Sequence, residues 1–153
     1  MTDTLASPTP PTITVIIVAY NSGDFLQPCV DALATQSFTD FEAVIVDNAS
    51  TDGAVDSLTL PDDRFRIDRP GENLGFAGGN NRAARASHAR WIALLNPDTR
   101  VAPNWLEALL DGLSGFRIHS AQAGRSGHPR WRRRCLVRGR RGLAGAGRAT
   151  AER

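Results

Sequence analysis

The chain has 153 residues, 18 of them basic and 16 acidic, for a net charge of +2. Its 41% apolar content is that of a soluble globular chain rather than a disordered one. All 18 basic residues are arginine. The missing lysine excludes Schiff-base chemistry, a kinase-type lysine and a Walker-A phosphate loop, each of which needs that amine. The average also hides a split: residues 1–112 set 7 Arg against 15 acids (7 − 15 = −8), and residues 113–153 set 11 Arg against Glu152 alone (11 − 1 = +10).

Residues 1–11 read as a disordered, Pro-rich lead-in, without the basic and apolar regions of a signal peptide. Residues 13–20 are β-branched and almost continuously apolar, which predicts a strand buried on both faces. Asn21 or Ser22 is placed to cap a following helix, in which Phe25, Leu26, Cys29, Val30 and Leu33 recur at helical spacing. Residues 41–47 predict a second strand, followed by polar turn residues and a short helix through 55–58. Residues 61–68 alternate in the manner of an edge strand. A Gly- and Asn-rich stretch, 71–81, leads into a helix over 82–90. Residues 91–95 form a fourth strand, and Pro103 opens a last helix over 104–111. No run is long enough for the roughly 20 apolar residues of a membrane span, and no internal repeat is visible.

Strands alternating with helices predict βαβ units and a doubly wound, mostly parallel α/β sheet with flanking helices, in which ligands bind beyond the carboxyl ends of the strands. The polar motifs fall at those ends: Ala19, Tyr20 and Asn21 after the first strand, Asp47 and Asn48 after the second, and Asn96, Pro97 and Asp98 after the fourth. The Gly-rich stretch from Gly75 to Asn80 is no dinucleotide fingerprint. That pattern needs Gly at 77 and 80, where Ala77 and Asn80 stand, and it follows the first strand rather than the third. A close backbone approach to a ligand and a plain tight turn both remain open. Asp98 fits either a hard divalent cation completed by phosphates and water, or a turn cap. Asp47 fits either a ribose or base contact, or an Asx turn.

After residue 112 the periodicity stops. Gly, Ala and Arg supply 24 of the 41 positions in 113–153, and only Leu136-Val137 resemble a core segment. Residues 130–142 hold 7 Arg. That composition reads as a disordered basic tail, as a phosphate-binding nucleic-acid segment, or as an out-of-frame translation of a G+C-rich gene. Cys29 and Cys135 make neither a disulfide framework nor a zinc site, which suits a reducing compartment. His88, His119 and His128 lack metal-ligand spacing.

Four motifs in order, V15-I-I-V-A-Y-N-S22, V44-I-V-D-N-A-S-T-D-G53, E72-N-L-G-F-A-G-G-N-N81 and L94-L-N-P-D98, resemble the family 2 glycosyltransferases of the GT-A fold, nearest to their rhamnosyltransferase-like branch. The resemblance covers residues 12–112. It implies transfer of a sugar from a nucleotide-diphospho-sugar donor to a glycan or lipid-linked acceptor, with inversion at the anomeric carbon. By the same resemblance, Ala19, Tyr20, Asn21, Asp47 and Asn48 lie against the nucleotide. Asn73, Gly75, Phe76, Gly78, Gly79 and Asn80 shape the donor site. Asp98, with Asn96, holds a divalent metal, Mg²⁺ or Mn²⁺, that neutralises the departing diphosphate. The family domain continues into an acceptor half with an acidic general base, and residues 113–153 do not resemble it. The chain therefore reads as a truncated domain with the donor-binding half only, cytoplasmic or peripheral at the inner face of the membrane. The competing reading is a nucleic-acid-binding protein acting through 130–142.

Overall fold

The computed structural model describes residues 9–113 and 134–137. Five strands form one parallel sheet: β1 (Ile13–Ala19), β2 (Phe41–Asp47), β3 (Phe65–Asp68), β4 (Trp91–Leu94) and β5 (Arg134–Val137), in the order β3-β2-β1-β4-β5. Three helices connect or follow them: α1 (Leu26–Ala34), α2 (Gly75–Ala86) and α3 (Trp105–Leu113). Among the described residues no helix is long and apolar enough to cross a membrane.

β1 lies at the centre of the sheet, and all seven of its residues are buried. Its odd positions, Ile13, Val15, Ile17 and Ala19, pack with Leu26, Cys29, Val30 and Leu33 of α1 and with Trp105 and Leu106 of α3. Its even positions, Ile16 and Val18, pack on the other face with Val44, Val46, Ile92 and Ala83 of α2. A strand covered on both faces has no polar side to display, which is why its sequence is a continuous apolar run.

The sheet runs outward from β1 through β2 to β3, then returns through α2 to β4 on the other side of β1. The strand order thus reverses between β1 and β4, and this switch point is where doubly wound sheets bind ligands. The registers Ala19↔Asp47 and Ile16↔Leu94 bring the residues after β1, β2 and β4 to a common edge.

Several boundaries differ from the expectations, each for a physical reason. Residues 55–58 form no helix; residues 54–57 make a turn in which Ser57 N–H donates to Gly53 O at 3.0 Å, while Val55 alone is buried. The Gly- and Asn-rich stretch is no loop up to residue 81. Gly75 to Asn81 form the first two turns of α2, and that helix ends at Ala86 rather than 90. A Cβ at Gly79 would stand 3.1 Å from both Val18 methyl carbons, and one at Gly78 would stand 2.9 Å from Leu74 Cβ. Glycine here serves the close seating of a helix on a sheet. Neither Asn21 nor Ser22 caps α1: a 3-10 turn, Gly23–Phe25, precedes it, and the Ser22 side chain makes no capping bond. Phe25, expected on the apolar face, is exposed. In the expected disordered tail, Arg134–Val137 pair with β4. The rest of the basic stretch 130–142, together with His119 and His128, lies outside the described residues.

Candidate functional site

Three connections leave the carboxyl edge from β1, β2 and β3, and each contains backbone that glycine prefers. Positive φ occurs at Asn21 (47°) and Gly23 after β1, at Ala49 (62°) and Gly53 after β2, and at Gly71 and Gly75 after β3. Side chains of the candidate residues hold these turns in place.

Asn21 Oδ1 accepts from the Thr51 N–H at 2.8 Å, and the Asn21 N–H donates to Ser50 Oγ at 3.2 Å. The loops after β1 and β2 are thereby stitched together. A second stitch runs from the Gly23 N–H to Asp52 Oδ2 at 2.7 Å. Asp52 also accepts from Ala54 N–H, and these amide donors hold its carboxyl below the usual carboxylate range.

Asp47 is buried with both oxygens engaged. Oδ1 accepts from Ser50 N–H at 2.9 Å, and Oδ2 pairs with Arg69 at 3.0 Å. The Asx turn and the ionic contact, alternatives in the sequence, are therefore both present. Arg69 reaches on to Asp56 at 2.7 Å. It belongs to the site and was not singled out in the sequence; its only local signal is its place at the end of an edge strand, 22 residues from Asp47.

Asn48 is also buried and acts as a staple. Its N–H donates to Ala19 O at 2.8 Å, its Nδ2 to Asn73 Oδ1 at 2.7 Å, and its Oδ1 accepts from Leu74 N–H at 2.8 Å. Asn73 Oδ1 in turn accepts from Gly75 N–H at 2.9 Å. The two asparagines thus fix the start of α2 against the end of β2. Asn80, on the second turn of α2, donates to Phe76 O at 2.8 Å. Its buried Oδ1, like the buried Ser22 Oγ, finds no partner among the described residues. Buried polar atoms of this kind are uncommon.

Tyr20 and Phe76 are exposed at this edge. Asp98 is exposed and Asn96 half-buried in the turn after β4, closed by Thr99 N–H donating to Asn96 O at 3.1 Å. Beneath that turn lies Cys29, whose Sγ donates to Asn96 O at 3.5 Å. Burial pushes this thiol up to about 12, against the Thr99 N–H, with the Asp98 charge adding to the rise.

The described residues contain no group of three or more His, Cys, Asp or Glu able to hold a metal. One carboxylate with one amide oxygen does fit a cation that takes most of its ligands from phosphates and water, as Mg²⁺ commonly does. Asp98 and Asn96 supply that pair of hard oxygen donors. Ala19, Tyr20, Asn21, Asp47, Asn48, Asn73 and Asn96–Pro97–Asp98 share one edge of the sheet. Gly75, Phe76, Gly78, Gly79 and Asn80 join it on a helix instead of a loop.

A family model described as Glycosyl transferase family 2 matches residues 14–146. The chain is 31% identical over 102 residues to the succinoglycan biosynthesis protein ExoO of Rhizobium meliloti (strain 1021), covering 66% of this chain and 29% of that protein. It is 33% identical over 104 residues to the putative teichuronic acid biosynthesis glycosyltransferase TuaG of Bacillus subtilis (strain 168), covering 66% and 41%. Its fold is similar to that of S. aureus TarS 1-349 in complex with UDP, with a TM-score of 0.57 and 22% identity over 67% of this chain and 32% of that one. It is also similar to the mannosyltransferase PcManGT from Pyrobaculum calidifontis in complex with GDP-Man and Mn²⁺, with a TM-score of 0.54 and 28% identity over 60% and 28%. The chain thus spans between 28% and 41% of the length of these proteins.

Proposed function

The chain belongs to glycosyl transferase family 2, and from that premise we propose that its carboxyl edge binds a nucleotide-diphospho-sugar, rhamnose-like in its sugar, for transfer with inversion to a glycan or lipid-linked acceptor. The observation that carries this reading is the convergence of the β1, β2 and β4 ends with the start of α2 at the switch point of the sheet. The similar fold of the mannosyltransferase in complex with GDP-Man and Mn²⁺ supports the choice of ligand class.

Each residue has a role in this reading. Tyr20 and Asn21 line the nucleotide side, on a turn locked to Thr51. Asp47, with both oxygens tied to Ser50 and Arg69, sets the shape of that side. The Asn48–Asn73 staple presents the start of α2, where Gly75 keeps the backbone open and Phe76 faces solvent. Asp98 and Asn96 hold the metal, which supplies charge neutralisation for the departing diphosphate when bound. Having few protein donors of its own, this pair holds a cation weakly without the nucleotide and tightly with it.

Asp47 and Asp56 share Arg69, and Asp52 is held by backbone amides. The family resemblance implies an acceptor half that carries an acidic general base, and we assign that base outside residues 12–112 and read residues 12–112 as the donor half. The proposal keeps the expected cytoplasmic location, peripheral at the inner face of a membrane. Translating the gene's other frames beyond the Gly112 codon tests the frame reading of 113–153. An acceptor half with an acidic motif there supports it, and featureless or stop-rich frames reject it.

Titration calorimetry with UDP and with GDP, each with and without Mn²⁺, tests the site. One of the two is expected to bind more tightly with Mn²⁺, and Asp98→Ala to weaken that binding about a hundredfold, at the upper end of what loss of a metal's supporting partner costs. Equal heats from the parent and the variant would remove Asp98 from the metal role.

A further inference from the structure

α1 and the turn that follows it grip the connection from β4 to α3 at both ends. At the near end, the buried Cys29 thiol donates to Asn96 O at 3.5 Å, and the Thr99 amide also interacts with that sulfur. The thiol therefore lies directly beneath the four-residue turn that carries Asp98. At the far end, the buried Gln36 side chain, two residues past α1, links Ala32 to the connection and to the first turn of α3. Nε2 donates to Ala102 O at 2.7 Å, and Oε1 accepts from Leu106 N–H at 2.9 Å. Ser37 N–H adds a bond to Pro103 O at 2.8 Å. Between these clamps runs a segment with no secondary structure beyond turns. α1 itself is anchored to the sheet by Leu26, Val30 and Leu33.

We propose that Cys29 and Gln36 are positioning residues for the Asp98 metal site: Cys29 on α1 and Gln36 in the turn after it fix the two ends of the segment from Asn96 to the start of α3, so that Asp98 meets the diphosphate-bound cation in one geometry. This rests on the reading of Asp98 as the metal carboxylate. Outer partners that orient a metal ligand typically change metal affinity by about 10–100-fold when lost. A thiol is a weak donor, so Cys29 belongs below that range and Gln36 within it.

The test measures the Mn²⁺-dependent gain in affinity of the intact chain for UDP or GDP, whichever binds more tightly. Cys29→Ala is expected to reduce that gain about 3–10-fold and Gln36→Met about 10-fold or more, with metal-free nucleotide affinity unchanged. Cys29→Ser, which restores a donor at the same place, is expected to recover most of the loss; a purely packing role would favour Ala over Ser at a buried site. Amide exchange at Leu106 and Thr99 should speed up in Gln36→Met and Cys29→Ala respectively. An unchanged Mn²⁺ gain in Cys29→Ala, alongside a gain abolished in Asp98→Ala, overturns the proposal and leaves the metal reading standing. An unchanged gain in Asp98→Ala overturns both. Should Gln36→Met fail to fold, the Cys29 Ala and Ser pair decides alone.

Discussion

The two edges of the sheet are built from similar polar residues and use them in opposite ways. At the amino edge, Thr12 donates to Asp40, and Thr14 joins Glu42 and Ser87 at 2.6 Å each. Asp62 grips Arg64 at 2.7 Å, and the Arg64 guanidinium lies over the Phe41 and Phe65 rings. Those contacts tie elements directly to one another with ordinary backbone between them. At the carboxyl edge, Asn21, Asp47, Asn48, Asn73 and Asp52 bond mostly to backbone amides of loops. All six positive-φ residues among the described ones fall there. Four of them are glycines, which take this backbone freely, and the two with a Cβ, Asn21 and Ala49, are strained by on the order of 1–3 kcal/mol each, a cost that clusters where function needs a shape that folding alone would not choose. One edge closes the fold, and the other holds it open.

The sharpest way to break this comparison is to damage both edges equally and read two quantities. Asn48→Ala and Thr14→Val each remove a fully buried hydrogen-bonding group, and each is expected to lower stability by about 1–3 kcal/mol in denaturant unfolding. Only Asn48→Ala should also weaken nucleoside diphosphate binding, since only it frees the start of α2. Equal binding in both variants would show the edges to be equivalent. Acid gives a smaller effect. Asp52 and Asp68 at the carboxyl edge, and Asp62 at the amino edge, have carboxyls held below the usual range by amide or arginine donors. A depressed carboxylate contributes stability above its unfolded value near 4 and loses it as pH falls through the folded value. The thermal midpoint should therefore hold from about pH 6 to 5 and decline below about pH 4. Asp68→Asn should flatten the decline, as its pair with Arg82 at 2.8 Å is removed. The smallest effect tests the strain itself. Left-handed backbone costs a residue with a Cβ about 1–2 kcal/mol, and glycine returns about 0.4–1 kcal/mol of that through the unfolded chain. Ala49→Gly should thus stabilise the protein by about 0.5 kcal/mol in the same unfolding measurement.

Which parts could be read from the sequence follows from how locally each was determined. β1, β2 and β4 were legible because two-sided burial leaves an uninterrupted apolar run, as in Ile13–Ala19. The site's edge was legible because polar residues end those runs at Asn21, Asp47 and Asn96. The start of α2 was not, because Gly78 and Gly79 look like turn residues until Leu74 and Val18 are seen against them. Phe25 was misplaced because an intervening 3-10 turn shifted the helical phase. Arg69 was invisible because its meaning lies in Asp47 on a neighbouring strand. The Cys29 and Gln36 clamps were hidden for the same reason, their partners lying 66 and more residues away.

The central position of β1 also bears on how the chain is made. β1 leaves the ribosome first among the strands, and β2 follows soon enough to cover one side. Its other side must wait for Trp91–Leu94, after residues 20–90 have been added. At about 5–20 residues per second, that interval lasts roughly 4–14 s. For those seconds one side of this apolar segment carries an unpaired row of amides and carbonyls, the kind of edge that can pair with another chain.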